Sequence, residues 1–152
     1  MSEEIIIQEL HRRRNFFAEH FPAIMQGDIR NGEILKNTCP ACGYPTLGER
    51  WSWEICAICW WQDDGQDDSS AEEVWGGPNS TYSLVQYRIQ TANILSKLKS
   101  CQPEASSPEA VAGQELDKLQ HLIDAYQPQD EAVLQQQMDK TIEAFDKVGK
   151  TI

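Results

Sequence analysis

Four cysteines fall as two Cys-x-x-Cys pairs, Cys39-Pro40-Ala41-Cys42 and Cys56-Ala57-Ile58-Cys59, separated by the thirteen residues Gly43 to Ile55. A Cys-x-x-Cys turn aims two sulfurs at one point, and two such turns supply the four ligands of one tetrahedral ion. The intervening segment is long enough to fold back and bring the second turn to the first. Gly43 follows the second thiol, where only a small residue lets backbone N–H groups approach the sulfurs without a clash. The pattern predicts one structural zinc ion per chain, held by Cys39, Cys42, Cys56 and Cys59. Other uses of the same residues are two disulfides, four free buried thiols, a rubredoxin-like iron site, or a thiol redox centre.

The other reactive residue types make no catalytic constellation. Asp63-Asp64-Gly65-Gln66-Asp67-Asp68, with Glu72 and Glu73 beyond, invites a calcium reading. It lacks the Asp-x-Asp-x-Asp-Gly order, and no Glu stands twelfth from Asp63. A solvated loop, or a docking surface for Lys and Arg, is the better reading. No nucleophile, oxyanion donor or histidine lies nearby to complete acid–base chemistry. His11, His20 and His121 lack metal-ligand spacing and read as surface or packing residues. Cys101, beside Gln102-Pro103, has no basic neighbour to activate it. A closed site of four thiolates leaves no open position for substrate. The expectation is a chain that is not an enzyme.

Charge is uneven. Residues 1–38 carry five Lys/Arg against six Asp/Glu, giving −1; residues 39–79 carry one against eight, giving −7; residues 80–152 carry seven against ten, giving −3. Arg50 is the single basic residue around the cysteines. Zinc modules that grip nucleic acid surround the metal with Lys and Arg, so direct nucleic-acid binding is not expected. A basic protein surface is the better-matched partner. The start, Met1-Ser2-Glu3-Glu4, offers no basic leader segment, and the longest apolar run, Ile55 to Trp61, is far short of the ~20 residues of a membrane span. A soluble cytoplasmic chain is expected, with no membrane partner; in that compartment thiols stay reduced.

The elements that must position these residues divide into four segments. Residues 1–36 read as an N-terminal helix from 3 to about 20, with Ile6, Leu10, Phe17 and Phe21 near one face, followed by turns at Gly27 and Asn31-Gly32. Arg12, Arg13 and Arg14 read as a solvated face that pairs with Glu9 or the acidic region. Residues 37–99 form the cysteine module and a following helix. Trp51-Ser52-Trp53-Glu54-Ile55 alternates, which predicts a strand entering the second knuckle. Trp51, Trp53, Trp60, Trp61 and Trp75 are expected first of all as core around the metal, with one or two left as interface anchors. Ser83 and Gln86 have capping-box spacing, and the helix they open places Val85, Ile89, Ala92, Leu95 and Leu98 on one stripe. Residues 100–109 read as a linker. In residues 110–152, Ala112, Leu116, Leu119, Ile123 and Tyr126, then Leu134, Met138, Ile142 and Phe145, predict a helical hairpin broken at Pro128. The fold class is α+β and mainly helical: a small zinc-ribbon or knuckle β module flanked by an N-terminal helix and the C-terminal hairpin.

Cys39-Pro-Ala-Cys-Gly-Tyr-Pro-Thr-Leu, Trp53-Glu-Ile-Cys-Ala-Ile-Cys-Trp-Trp-Gln-Asp-Asp, Gly76-Gly-Pro-Asn and Ser83-Leu together resemble the bacterial cysteine-rich CPCC family over residues 37 to about 90. Ala41 stands where that pattern carries an inner cysteine, which leaves Cys39, Cys42, Cys56 and Cys59 as the ligands. The resemblance implies a zinc-ribbon-like fold and a bacterial cytosolic setting. By analogy with small acidic antidotes encoded beside polymorphic toxins, the expected function is an immunity protein, or antitoxin, that binds a basic toxin domain and occludes its active site. Asp63, Asp64, Asp67 and Asp68 are then candidates for steering and rim contacts, and Trp60, Trp61 and Trp75 for buried anchors. The alternatives are an adaptor or regulator on the transcription or translation machinery and, third, a thiol redox protein.

Overall fold

The structure, a computed structural model, describes residues 2–20, 37–100 and 106–150. Its elements run α1 (Glu3–His20), β1 (Asn37–Thr38), β2 (Pro45–Leu47), α2 (Leu84–Lys99), α3 (Pro108–Asp124) and α4 (Glu131–Lys150). The chain is therefore α+β and mainly helical, with a two-stranded antiparallel sheet beside a cysteine knuckle. It divides into two compact units, the first reaching Asn93 and the second running from Ile94. Phe21, the turns at Gly27 and Asn31-Gly32, and Cys101 lie outside the described residues.

In the first unit, α1 begins where Ser2 Oγ accepts the Ile5 amide at 3.3 Å, and Glu3 and Glu4 lie against the positive end of the helix. Ile6, Leu10 and Phe17 are its buried face. β1 and β2 pair as Asn37↔Leu47 and Thr38↔Pro45 with an irregularity between, and the first cysteine turn is the loop that joins them. The second turn is held by a short irregular ladder. The Asp63 amide donates to Glu54 O and the Cys56 amide to Trp61 O, each at 2.9 Å, and Ile55 bridges Gln62. The strand expected over Trp51–Ile55 does not form. Trp51 and Trp53 take φ of 67° and 66°, left-handed values that no extended strand tolerates. Asp63 imposes this bend: its carboxylate accepts the Trp51 amide at 2.8 Å, and its carbonyl accepts the Trp53 amide at 3.1 Å.

The tryptophans depart from expectation too. Only Trp61 is core, at 0% exposure, edge-on to Tyr87 with ring centroids 5.0 Å apart. Tyr44, Phe17, Leu47, Leu84 and Gln66 are the other large, fully buried side chains among the described residues of this unit. In α2, Ser83 and Gln86 exchange the capping-box hydrogen bonds at 2.9 and 3.2 Å. The buried line of α2, however, is Leu84, Arg88, Thr91 and Leu95, with Val85, Ile89, Ala92 and Leu98 half-buried. Apolar periodicity misplaces the face because Arg88, only 3% exposed, is drawn inward by partners on the cysteine loops.

In the second unit, Ser107 Oγ caps α3 by accepting the Ala110 amide at 3.2 Å, with Pro108 in the first turn. Pro128–Asp130 forms a 3₁₀ turn that ends the connection to α4. Ala112, Leu116, Leu119, Leu134, Met138 and Phe145 are buried, as the hairpin stripe requires, while Ile123, Tyr126 and Ile142 are half-buried. Gln137 Nε2 donates to Glu115 O at 3.0 Å and to Glu115 Oε2 at 2.7 Å, which fixes the register of the two helices. Gly113 is buried against the Leu98 carbonyl, and any Cβ there would collide with it. Leu119→Asp or Phe145→Asp is expected to destabilise this unit by roughly 3 kcal/mol, since a charge enters an apolar core without a partner. Loss of helical circular dichroism at a lowered melting temperature, with the bound-metal stoichiometry kept, is the expected readout. No helix among the described residues is long and apolar enough to cross a membrane.

Candidate metal centre

Cys39, Cys42, Cys56 and Cys59 converge, with all four sulfurs within 4.8 Å of one another. Across the two turns, Cys39 Sγ lies 3.7 Å from Cys59 Sγ, and Cys42 Sγ 3.7 Å from Cys56 Sγ. Four sulfurs about 2.3 Å from a central zinc would have S···S edges of about 3.8 Å, so the cluster has the dimensions of a tetrahedral thiolate site.

The two turns are built alike. In the first, the Gly43 amide donates to Cys39 O at 2.8 Å and the Cys39 amide to Tyr44 O at 2.9 Å; in the second, the Trp60 amide donates to Cys56 O and the Cys56 amide to Trp61 O, both at 2.9 Å. The residue after the second cysteine is left-handed in both, with φ of 83° at Gly43 and 68° at Trp60. At Gly43 glycine is required twice over, since a Cβ would meet Leu10 Cδ1 at 3.0 Å. At Trp60 a bulky aromatic occupies the equivalent position, at a conformational cost of about 1–3 kcal/mol.

Donors surround the sulfurs. The Ala41 amide reaches Cys39 Sγ at 3.4 Å, the Cys59 amide reaches Cys56 Sγ at 3.5 Å, and Thr46 Oγ1 donates to Cys56 Sγ at 2.9 Å. Burial pushes the Cys42 and Cys59 thiols well above their ordinary range, and neighbouring sulfurs add to this. At Cys56 burial pushes the same way, but hydrogen bonds from Cys39, Cys42, Cys59 and Thr46 outweigh it and hold the thiol well below that range. Four thiolates this close are not sustainable in a buried site without a cation to neutralise them. A metal ion resolves the conflict by replacing the thiol protons. The residues present fit such an ion.

The profile of the Cysteine-rich CPCC family matches residues 37–109. This segment is a cysteine-rich CPCC domain. Comparison with curated proteins and with solved structures finds no match.

Residues distant in sequence hold the CPCC domain's cysteine turns in place. Arg13 Nη1 donates to Cys42 O at 2.6 Å, and its guanidinium lies 4.5 Å from the centre of the Tyr44 ring. Arg88 Nε donates to Pro40 O at 2.8 Å, and Tyr87 OH donates to Cys59 O at 2.6 Å. Thus α1 and α2 grip the first turn from two sides, and α2 grips the second. Asn79, from the Gly76-Gly77-Pro78-Asn79 turn, clamps Gln62 by accepting its amide at 3.1 Å and donating to its carbonyl at 2.8 Å. Separations of 17 to 48 residues hide these partners from a reading of local pattern.

The acidic run is placed otherwise than expected. Asp63 has 0% exposure, and its carboxylate accepts from Arg50, Trp51 N and Gly65 N. It is an interior ion-pair member and belongs to no rim. Asp67 is clasped by Arg14 Nη1 at 2.8 Å and Arg50 Nη1 at 2.7 Å; Asp68 meets Arg88 Nη2 at 2.7 Å and His11 Nε2 at 3.2 Å. Asp64 accepts from Gln66 N at 3.0 Å and Asn79 Nδ2 at 3.3 Å. All four aspartates thus have partners within the chain: Asp63 is fully buried, while the Asp68 side chain keeps 55% exposure. Of the arginine block, Arg12 pairs with Glu9 at 2.7 Å and Arg14 with the acidic run, as expected, while Arg13 turns to the metal turn. Trp61 is core and unavailable as an anchor. Trp60 and Trp75 are exposed, together with Trp51 and Trp53, which had been expected inside.

Proposed function

We propose that the CPCC domain binds one zinc ion as a purely structural element, and that the domain so organised docks a basic protein partner without catalysis. The partner in this reading is a toxin domain, which the chain neutralises by occluding its active site, one to one. Zinc suits a closed set of four thiolates with no position left for substrate or water. The observation that carries the docking reading is the set of exposed tryptophans on left-handed backbone. Trp51, Trp53 and Trp60 all combine a large apolar side chain, an unfavourable φ and open exposure. Conformational strain of this kind persists where function uses the side chain it presents. The −7 balance of residues 39–79, whose one cation, Arg50, is engaged by Asp63 and Asp67, supports a basic partner.

Two experiments test this. Metal analysis of the purified chain is expected to return one zinc per chain; disulfide-linked cysteines with neither zinc nor iron would reject the metal, and a red-brown protein would replace zinc by iron. Co-expression with the product of the neighbouring reading frame is expected to relieve the growth arrest that product causes alone, with a one-to-one complex on a sizing column. Sustained arrest beside abundant folded chain, with no complex, rejects the toxin reading.

A further inference from the structure

The structure assigns the docking surface to the outer face of the second cysteine turn, formed by Trp51, Trp53, Ile55 and Trp60 and bordered by Glu49 and Glu54, and assigns as its occupant a Lys/Arg-rich segment of a protein partner. This rests on the reading of a basic partner and replaces the acidic run as its site. Exposure is 71% at Trp51, 57% at Trp53, 57% at Ile55 and 43% at Trp60, so four large apolar residues stand outside within ten positions. Hydrogen bonds fix three of them about the second turn, and the Trp51 ring lies over Gly65. Ile55 bridges Gln62, Gln62 Nε2 donates to Trp53 O at 2.9 Å, and the Trp60 amide is tied to Cys56 O at 2.9 Å. Large apolar side chains left exposed at this density in the sequence point to an interaction site.

Charge identifies what covers it. Glu49 is exposed, and Glu54 is half-buried beneath it, with Oε2 accepting the Gly48 amide at 2.8 Å and the Glu49 amide at 3.3 Å. Arg50, the one cation of residues 39–79, points away into Asp63 and Asp67 and donates to Gln66 O at 3.0 Å. The face thus offers indole π-surfaces and carboxylates, and the one cation of residues 39–79 is engaged by Asp63 and Asp67. That combination recognises guanidinium and ammonium groups, by cation–π contact on the rings and ion pairing at the edge. A nucleic-acid backbone or an acidic peptide would be repelled by the same carboxylates.

Backbone conformation supplies variants that spare the fold. Trp53 and Trp60 occupy left-handed positions that glycine fills without strain, as Gly43 does in the first turn. Trp53→Gly and Trp60→Gly remove the docking side chain while relieving the backbone. The probe is a deca-arginine peptide, titrated into metal-loaded chain at about 150 mM salt, where long-range attraction is screened. The wild type is expected to bind with quenching of tryptophan fluorescence. The two glycine variants are expected to keep the metal, melt at the same or a higher temperature, and bind about ten-fold or more weakly, as loss of an anchor requires. A Glu72→Gln/Glu73→Gln variant, which removes charge elsewhere on the domain, should bind within about two-fold of wild type, as outlying charges at this salt do. Glycine variants that bind the peptide as the wild type does, or equal losses in all variants, would overturn the face while leaving a basic partner in place. Absence of binding by the wild type would overturn the basic partner as well. A wild-type dimer that the glycine variants convert to monomer would make the face a contact between copies of this chain, and would overturn the assigned occupant.

Discussion

Stripping the metal from the CPCC domain is expected to unfold it. The sheet there is two strands of two and three residues, far below what stands alone in water. The turns on which α1 and α2 close are shaped by the cysteines, three of which are fully buried. Structural zinc sites contribute about 10–16 kcal/mol of apparent binding energy, as much as the whole net stability of an ordinary domain. A chelator titration followed by the emission of buried Trp61 should therefore show a cooperative loss of the first unit. Far-UV circular dichroism should fall only in part, because α3 and α4 have an apolar core of their own around Leu116, Leu119, Leu134 and Phe145. Cys56→Ser should give the same result without chelator, since it removes one of the four sulfurs and replaces the thiolate that accepts from Thr46 Oγ1 by a neutral hydroxyl. Because burial raises the Cys42 and Cys59 thiols, metal uptake near neutral pH should release protons, and affinity should fall as the solution is acidified. Complete metal removal with Trp61 emission unchanged would show that the fold stands without the ion.

Arg50→Ala is the second large loss expected, about 3–5 kcal/mol, because it strands a buried carboxylate. Asp63 has no exposure, and Arg50 is its one ion-pair partner among the described residues, at 2.9 Å. The same guanidinium holds Asp67, and the Trp51 amide on Asp63 transmits the damage to the bend that presents the tryptophans. Arg50→Lys should lose less, keeping the charge but not the fork that spans two aspartates. The measurement is the urea midpoint of metal-loaded protein.

This cluster also sets a pH dependence. Burial alone would raise Asp67, but hydrogen bonds and charge from Arg14 and Arg50 overcome it and hold the carboxyl well below the usual carboxylate range. Asp68 is lowered likewise, burial being outweighed by Arg88 and His11. A depressed folded-state value means that the unfolded chain binds the proton more tightly. The stabilisation is therefore complete above the ordinary carboxylate value of about 4 and is lost as pH falls below it, through the folded-state values. Arg50→Ala should flatten that acid limb relative to wild type at equal metal occupancy. Parallel limbs would mean that Asp67 is held by Arg14 alone.

The cluster of four cysteines, the helix starts at Ser83 and Ser107, the break at Pro128 and the α3–α4 hairpin were all determined by the sequence itself, and for one reason. Each is a local property: a Cys-x-x-Cys turn orients its own sulfurs, a cap binds an amide three residues on, and a helical stripe repeats within one turn. What only the tertiary structure decided is which polar and aromatic side chains are inside. Asp63 and Asp67 read as solvated charge until Arg50 and Arg14, 13 and 53 residues away, arrive to neutralise them. Arg88 interrupts an apolar stripe until the Pro40 carbonyl, 48 residues distant, takes its proton donor. Trp51 and Trp53 alternate as a strand would, yet Asp63 bends the backbone and turns both outward. Burial of charge is set by the partner, and the partner is set by the fold; five tryptophans of one chemical type thus end as one core residue and four on the surface.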